Sequence, residues 1–129
     1  MTVATAKNVH ISDLHFEMNL WLNELKFRKS EIGIFNNRME EIVSRSEEQE
    51  FMRQLEHFQN QYIREHEVID ELRHDIKQHE NILEKEETAI VEDDNVLDAH
   101  SSLREQMDQF RKIYYELRNE FFAYLQQWI

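Results

Sequence analysis

Apolar residues recur along most of this chain at alternating spacings of three and four, the heptad pattern of helices that pack along one seam. The first seam is Leu14, Met18, Trp21, Leu25, Ile32, Phe35, Met39 and Ile42. The second is Phe51, Leu55, Phe58, Tyr62, Glu65, Ile69, Leu72, Ile76, His79 and Leu83. The third is Leu103, Met107, Phe110, Tyr114, Leu117, Phe121, Tyr124 and Trp128. Because the chain has no Pro and only one Gly, little interrupts long helices, and the pattern predicts an all-α fold.

Polar residues mark where the first two helices begin. Ser12 can cap the first helix, and Ser46 with Gln49 three residues later forms a capping box for the second. We therefore expect helices over about 12–44 and 47–87. The turn between them is short, so the two helices must run antiparallel.

The third helix has two candidate starts. Ser102 begins a further capping box, which predicts a helix over 102–128 and leaves 88–101 as a loop or a frayed extra turn. Asp94 or Asn95 could start the helix earlier, but we favour the loop.

These elements predict one domain over 12–129 behind a flexible N-terminus, residues 1–11. Its expected form is an elongated antiparallel three-helix bundle of the coiled-coil type. This layout resembles spectrin-type repeats in architecture and approximate length. The resemblance is one of pattern over the whole chain, and it implies a fold but no site residues.

The acidic charge limits the expected partners. The formal net charge is −12 without a basic cluster, which disfavours both nucleic acid and an anionic membrane surface. The absence of Cys excludes disulfides and thiol catalysis, and we expect a cytoplasmic protein. No catalytic constellation and no Gly-rich phosphate loop stands out, so we expect neither an enzyme nor a bound cofactor.

One layer of the predicted bundle contains charged residues. The turn positions place Arg28 and Glu65 at the same height, beside Phe121. A lone buried charge costs several kcal/mol, so we interpret the two as a buried pair that sets the register. The alternatives are that both side chains extend outward, or that they form a functional buried site.

Two sets of apolar residues lie where the predicted monomer does not cover them. The first consists of two off-seam rows at seven-residue spacing, which the predicted register puts at matching heights beside one groove: Leu20, Phe27 and Ile34, and Tyr115, Phe122 and Ile129. The second is the tip of the first helical hairpin, beyond the expected end of helix 3: Met39, Ile42, Val43, Phe51, Met52 and Leu55. The rows either close the groove within the monomer or, like the tip, form an interface. We expect a protein-interaction or scaffolding module that forms a homodimer.

A metal-binding bundle is the alternative function. His66, Asp70 and His74 follow one another at four-residue spacing, and Glu71 with His74 forms a Glu-x-x-His pair. Side chains at such spacings share one helical face and can hold Zn²⁺ or a similar ion. No residue of the other two helices clearly completes the site.

Overall fold

A computed structural model describes residues 8–128 and consists mainly of three long helices. They are α1, Ile11–Ile42, α2, Gln49–Leu83, and α3, Asp94–Trp128. α2 packs against both of the others and runs antiparallel to them, so α1 and α3 run parallel. The predicted all-α three-helix bundle is confirmed.

The heptad seams form the core. Every residue of the three predicted seams is buried except Trp128, which is half-buried. The seam pattern works because residues three and four apart share one face of a helix, and burying that face removes apolar surface from water. The fold therefore follows directly from the spacing of the apolar residues.

A short strand pair closes one end of the bundle. β1, Val9–His10, pairs antiparallel with β2, Ile90–Val91. The amide of Ile11 donates to the carbonyl of Ala89 at 2.8 Å, which satisfies an amide that the start of α1 would otherwise leave free. Ser12 lies inside the helix and is not its cap. Residues 8–11 are thus held in place, against the predicted flexible N-terminus, while 1–7 lie outside the described residues.

The third helix begins earlier than expected, so the loop interpretation of 88–101 is wrong for 94–101. Asp93 accepts a hydrogen bond from the amide of Asn95 at 2.9 Å, which caps the helix. Val96 and His100 are buried and continue the third seam backwards at heptad spacing. At the other end of this connection, α2 ends at Leu83 rather than at 87.

The early start shifts α3 by about one heptad from its predicted height. Phe35, Tyr62 and Phe121 share a layer, in which Phe35 lies 5.3 Å from Tyr62 and 5.2 Å from Phe121 between ring centroids. The predicted layer put Phe121 beside Arg28 and Glu65, which is wrong. Two antiparallel heptad seams fit at several offsets, and the connection between the helices selects one of them.

The shift also extends α3 over the tip of the α1–α2 hairpin. Tyr124 and Trp128 pack on Phe51 with ring centroids 5.8 and 5.4 Å away. The predicted uncovered tip is therefore wrong. The structure buries four of its members and half-buries a fifth, Met52, leaving only Val43 exposed; the buried four are Met39, Ile42, Phe51 and Leu55.

The covered tip predicts that Phe51→Glu destabilises the protein. The substitution removes a buried ring and places a carboxylate against Tyr124 and Trp128, so the free energy of unfolding should fall by about 3 kcal/mol or more. Val43→Glu, at an exposed position of the same tip, is the control and should change it by less than about 0.5 kcal/mol. Urea unfolding followed by circular dichroism measures both. Equally small losses of stability in the two variants would contradict the covered tip.

Candidate interaction surface

Three ion pairs of equal sequence separation join α1 to α3. The shortest bonds within them are Glu17–Arg104 at 2.6 Å, Glu24–Arg111 at 2.8 Å and Glu31–Arg118 at 3.2 Å, each between residues 87 apart. Successive pairs are one heptad apart, as expected for parallel helices in a constant register. The pairs bind all three carboxylates that α1 carries between Asp13 and Glu40.

The first of these pairs strongly favours the ionised form of its carboxyl group. The guanidinium of Arg104 lowers the pKa of Glu17 to about 2. A carboxylate whose pKa is lower in the folded state stabilises the fold above its ordinary pKa and loses that contribution as the pH falls towards 2. Glu17 therefore stays ionised throughout the mildly acidic range.

Arg28 belongs to the same side of the bundle rather than to a pair with Glu65. Its guanidinium donates to Glu31 at 3.1 Å and to the hydroxyl of Tyr115. It also lies over the rings of Tyr114 and Tyr115, 5.1 and 4.9 Å from their centroids, where cation–π attraction favours it. The predicted Arg28–Glu65 pair is wrong, because the shifted register of α3 brings the two tyrosines to Arg28.

Glu65 faces the groove between α2 and α3. The residue is 5% exposed, and it lines a groove of about 230 Å³ that also contains Gln106 and Gln109. Burial raises the pKa of its carboxyl group, with Arg64 acting in the opposite direction. The buried seam thus contains a carboxylate whose ionised form is disfavoured.

Four exposed apolar side chains of α1 lie along one side of the helix and are called here the α1 stripe. Three members were predicted from the heptad spacing: Leu20, Phe27 and Ile34 are 51%, 59% and 65% exposed. The fourth, Phe16, is 65% exposed and did not belong to the predicted row at seven-residue spacing. Its distance of four residues from Leu20 is the signal that places both on one helical face.

The α3 row meets the α1 stripe at a different height from the predicted one. Tyr115 is 44% exposed, but its bond to Arg28 puts it beside Phe27, whereas the prediction put it beside Leu20. Phe122 is half-buried and packs edge-on against Phe35, with centroids 5.7 Å apart. Ile129 lies outside the described residues. The α3 row thus partly closes the groove and leaves the α1 stripe exposed.

No carboxylate is among the exposed residues around the α1 stripe, because Glu17, Glu24 and Glu31 are partly buried in the ion pairs with α3. Between Leu14 and Met39, the exposed residues of α1 are Phe16, Asn19, Leu20, Asn23, Lys26, Phe27, Ser30, Gly33, Ile34 and Asn37. By contrast, the exposed faces of α2 and α3 carry many acids, among them Glu67, Glu71, Glu105 and Glu116. In a chain of net charge −12, this α1 face therefore combines apolar side chains with neutral polar ones and Lys26.

The four metal candidates do not converge on one site. Asp70 accepts a hydrogen bond from Lys29 at 2.9 Å, and His66 lies 3.6 Å from its other oxygen. Glu71 lies 3.8 Å from Arg64, and His74 is exposed. Within residues 8–128, no three His, Asp or Glu side chains are arranged to hold a metal ion.

Comparison of the chain with protein-family models, curated proteins and solved structures finds no match. Among residues 8–128, no helix has both the length and the apolar character needed to cross a membrane.

The ion pairs predict that Arg111→Glu destabilises the bundle and that adding Glu24→Arg recovers most of the loss. The coupling should be about 0.5–1 kcal/mol, since both side chains are partly exposed. A double-mutant cycle from urea unfolding measures it. Glu17→Arg is the matched control, because a shift of α3 by one heptad towards its predicted height would place Arg111 opposite Glu17. Recovery by Glu17→Arg instead of Glu24→Arg would contradict the structure.

The buried carboxylate predicts that Glu65→Leu stabilises the protein at pH 7, by about 1 kcal/mol. A raised pKa in the folded state means that the native protein binds the proton more tightly, so the wild type loses stability as the pH rises past the ordinary pKa of Glu. The gain from Leu should thus be larger at pH 7 than at pH 4. The exposed Glu67→Leu is the control. A loss of stability in Glu65→Leu would indicate a partner for the carboxylate.

Proposed function

We propose that this chain is a non-enzymatic protein-interaction module that self-associates through the exposed face of α1. The observation that carries the proposal is the α1 stripe, which lies on a face without carboxylates in a strongly acidic chain. Exposed apolar residues that align on one side of a helix and are bordered by polar ones are typical of interaction sites.

The α1 stripe differs from the other exposed apolar residues. Ile63 and Ile82 of α2 and Ile113 of α3 are also exposed, but Ile63 and Ile82 lie about 28 Å apart along α2, and Ile113 belongs to another helix. Single exposed apolar side chains are normal on protein surfaces. The stripe instead runs from Phe16 to Ile34, which at 1.5 Å per residue is about 27 Å of one helix.

Charge favours a second copy of the chain as the occupant. Two molecules of net charge −12 repel each other, and the repulsion is smallest where the facing surfaces lack carboxylates. The three ion pairs with α3 support this arrangement, because they neutralise the acids of α1 that border the stripe, Glu17, Glu24 and Glu31.

The order of residues along the stripe suits an antiparallel pairing. A two-fold axis level with Glu24 and Leu25 brings Phe16 of one copy close to Ile34 of the other, and Leu20 close to Phe27. Each apolar side chain then meets an apolar partner, and the interface is the same patch on both copies. A strip about 27 Å long and about 10 Å wide is small for a stable interface, so we expect a dissociation constant in the micromolar range.

Light scattering after size-exclusion chromatography tests the proposal. Over about 5–500 μM, a range chosen to bracket that affinity, the wild type should shift from monomer to dimer. The double variant Leu20→Gln, Phe27→Gln should remain monomeric, because it removes the centre of the stripe without changing the charge.

The matched control is Ile63→Gln, Ile113→Gln, which removes two exposed apolar side chains from the other helices. This variant should dimerise like the wild type. A wild type that stays monomeric throughout, or a control that loses the dimer equally, would overturn the proposal.

A further inference from the structure

Two buried histidines and a glutamate form a hydrogen-bonded chain across all three helices. Nε2 of His79 in α2 lies 3.1 Å from Nδ1 of His100 in α3, and Nε2 of His100 lies 2.7 Å from Oε1 of Glu17 in α1. His79 and His100 are only 4% and 2% exposed. Heptad spacing predicted that His79 belongs to the second seam, but it did not predict the contact with His100, which lay in the expected loop 88–101.

The hydrogen bonds determine where the protons lie. The carboxylate of Glu17 can only accept, so Nε2 of His100 donates, and a neutral His100 then has a lone pair on Nδ1. Nε2 of His79 must donate to that lone pair. Nδ1 of His79 is left with a lone pair that is buried and has no hydrogen-bond partner. Both hydrogen bonds, His79–His100 and His100–Glu17, therefore form when the two imidazoles are neutral.

The same geometry accommodates added protons poorly. One extra proton on Nδ1 of His100 makes His79 the acceptor and moves the His79 proton to its Nδ1, where a buried N–H has no partner. Two extra protons place an N–H of each ring against the other at 3.1 Å. Either state costs free energy through burial of charge and loss of hydrogen bonds.

The charged groups around the pair do not remove this penalty. His79 faces His15 of α1, whose proximity also disfavours a second positive charge. His100 faces Glu17, which favours its protonated form, and Arg104 of α3, which disfavours it. Burial is the largest effect on both rings and lowers both pKa values.

The pair lies where the strands hold the start of α1. A crevice of about 140 Å³ reaches His100 and is lined by Val9 of β1, Leu97 of α3 and Arg104. Trp21 of α1 packs against the His100 ring, with centroids 4.9 Å apart. Displacement of β1 would therefore widen the access of water to His100, and through it to the bond with His79.

We propose that the His79–His100 pair is a proton-sensitive contact that opens the strand end of the bundle at mildly acidic pH. In the open form both imidazoles are hydrated and take up protons near their ordinary pKa, about 6.5. Since the open form binds more protons than the closed one, opening becomes more favourable as the pH falls below about 6.5. Glu17 remains ionised in this range. The proposal does not depend on self-association.

Hydrogen exchange of the intact protein tests the proposal. Protection factors are corrected for the intrinsic pH dependence of exchange. For amides of 9–17 and 94–104 they should fall by at least about tenfold per pH unit below about pH 6, because opening that takes up one proton becomes about tenfold more favourable per pH unit. Amides of the opposite end, 39–55, should keep their protection.

The variant His79→Leu, His100→Gln removes both imidazoles. Leu places an apolar residue in the seam, and Gln keeps a hydrogen-bond donor to Glu17. It should lose the pH dependence of exchange at the strand end. The control His10→Gln, His74→Gln replaces two exposed histidines and should keep it. The proposal fails if both ends lose protection together in the wild type, if protection does not change with pH, or if the variant retains the wild-type dependence.

Discussion

The height at which α3 begins determines most of the rest of this structure. The strand pair between Val9–His10 and Ile90–Val91 holds the start of α1 against the connection that follows α2. Asp93 then caps α3 immediately after that connection. Because a helix is rigid over its length, these local contacts at one end set which side chains meet at the other. The covering of the hairpin tip by Tyr124 and Trp128 and the 87-residue separation of the three ion pairs both follow from them.

The core residues could be predicted from sequence, but their partners could not. Heptad spacing identifies which face of each helix is buried, because only that periodicity keeps apolar side chains on one side. It leaves the offset between helices open, since a slip of one heptad still brings apolar residues together. The offset depended on the connection before α3. There His100 looked polar, although it continues the seam from Leu103 back to Val96.

The wrong offset also explains the errors in the site. It paired Arg28 with Glu65 by height, whereas Arg28 binds Glu31 and Tyr115 and Glu65 faces the α2–α3 groove. The prediction of the three α1 row residues, by contrast, did not depend on the offset between helices. Their exposure depends only on their position around α1 relative to its own seam, and that angle follows from sequence alone.

The ion pairs connect the fold to the proposed function. They use the carboxylates of α1 to hold α3, and as a result the outer face of α1 combines apolar side chains with neutral polar ones. If these carboxylates were instead exposed on the outer face of α1, two copies of the chain would repel each other at that face. His79 and His100 lie in the interior, near the Glu17–Arg104 pair. The response proposed for them is to protons and does not involve a partner.

Distances between spin labels on separate copies test the α1–α1 pairing most directly. The chain has no Cys, so Ser12→Cys, Lys26→Cys and Asn37→Cys each give one label per molecule, beside the stripe rather than within it. An antiparallel pairing about an axis level with Glu24 and Leu25 predicts an intermolecular distance below about 20 Å at Lys26, and similar distances of about 40 Å at Ser12 and Asn37, from the rise per residue. The absence of an intermolecular signal, or a shortest distance at Ser12 or Asn37, would contradict it.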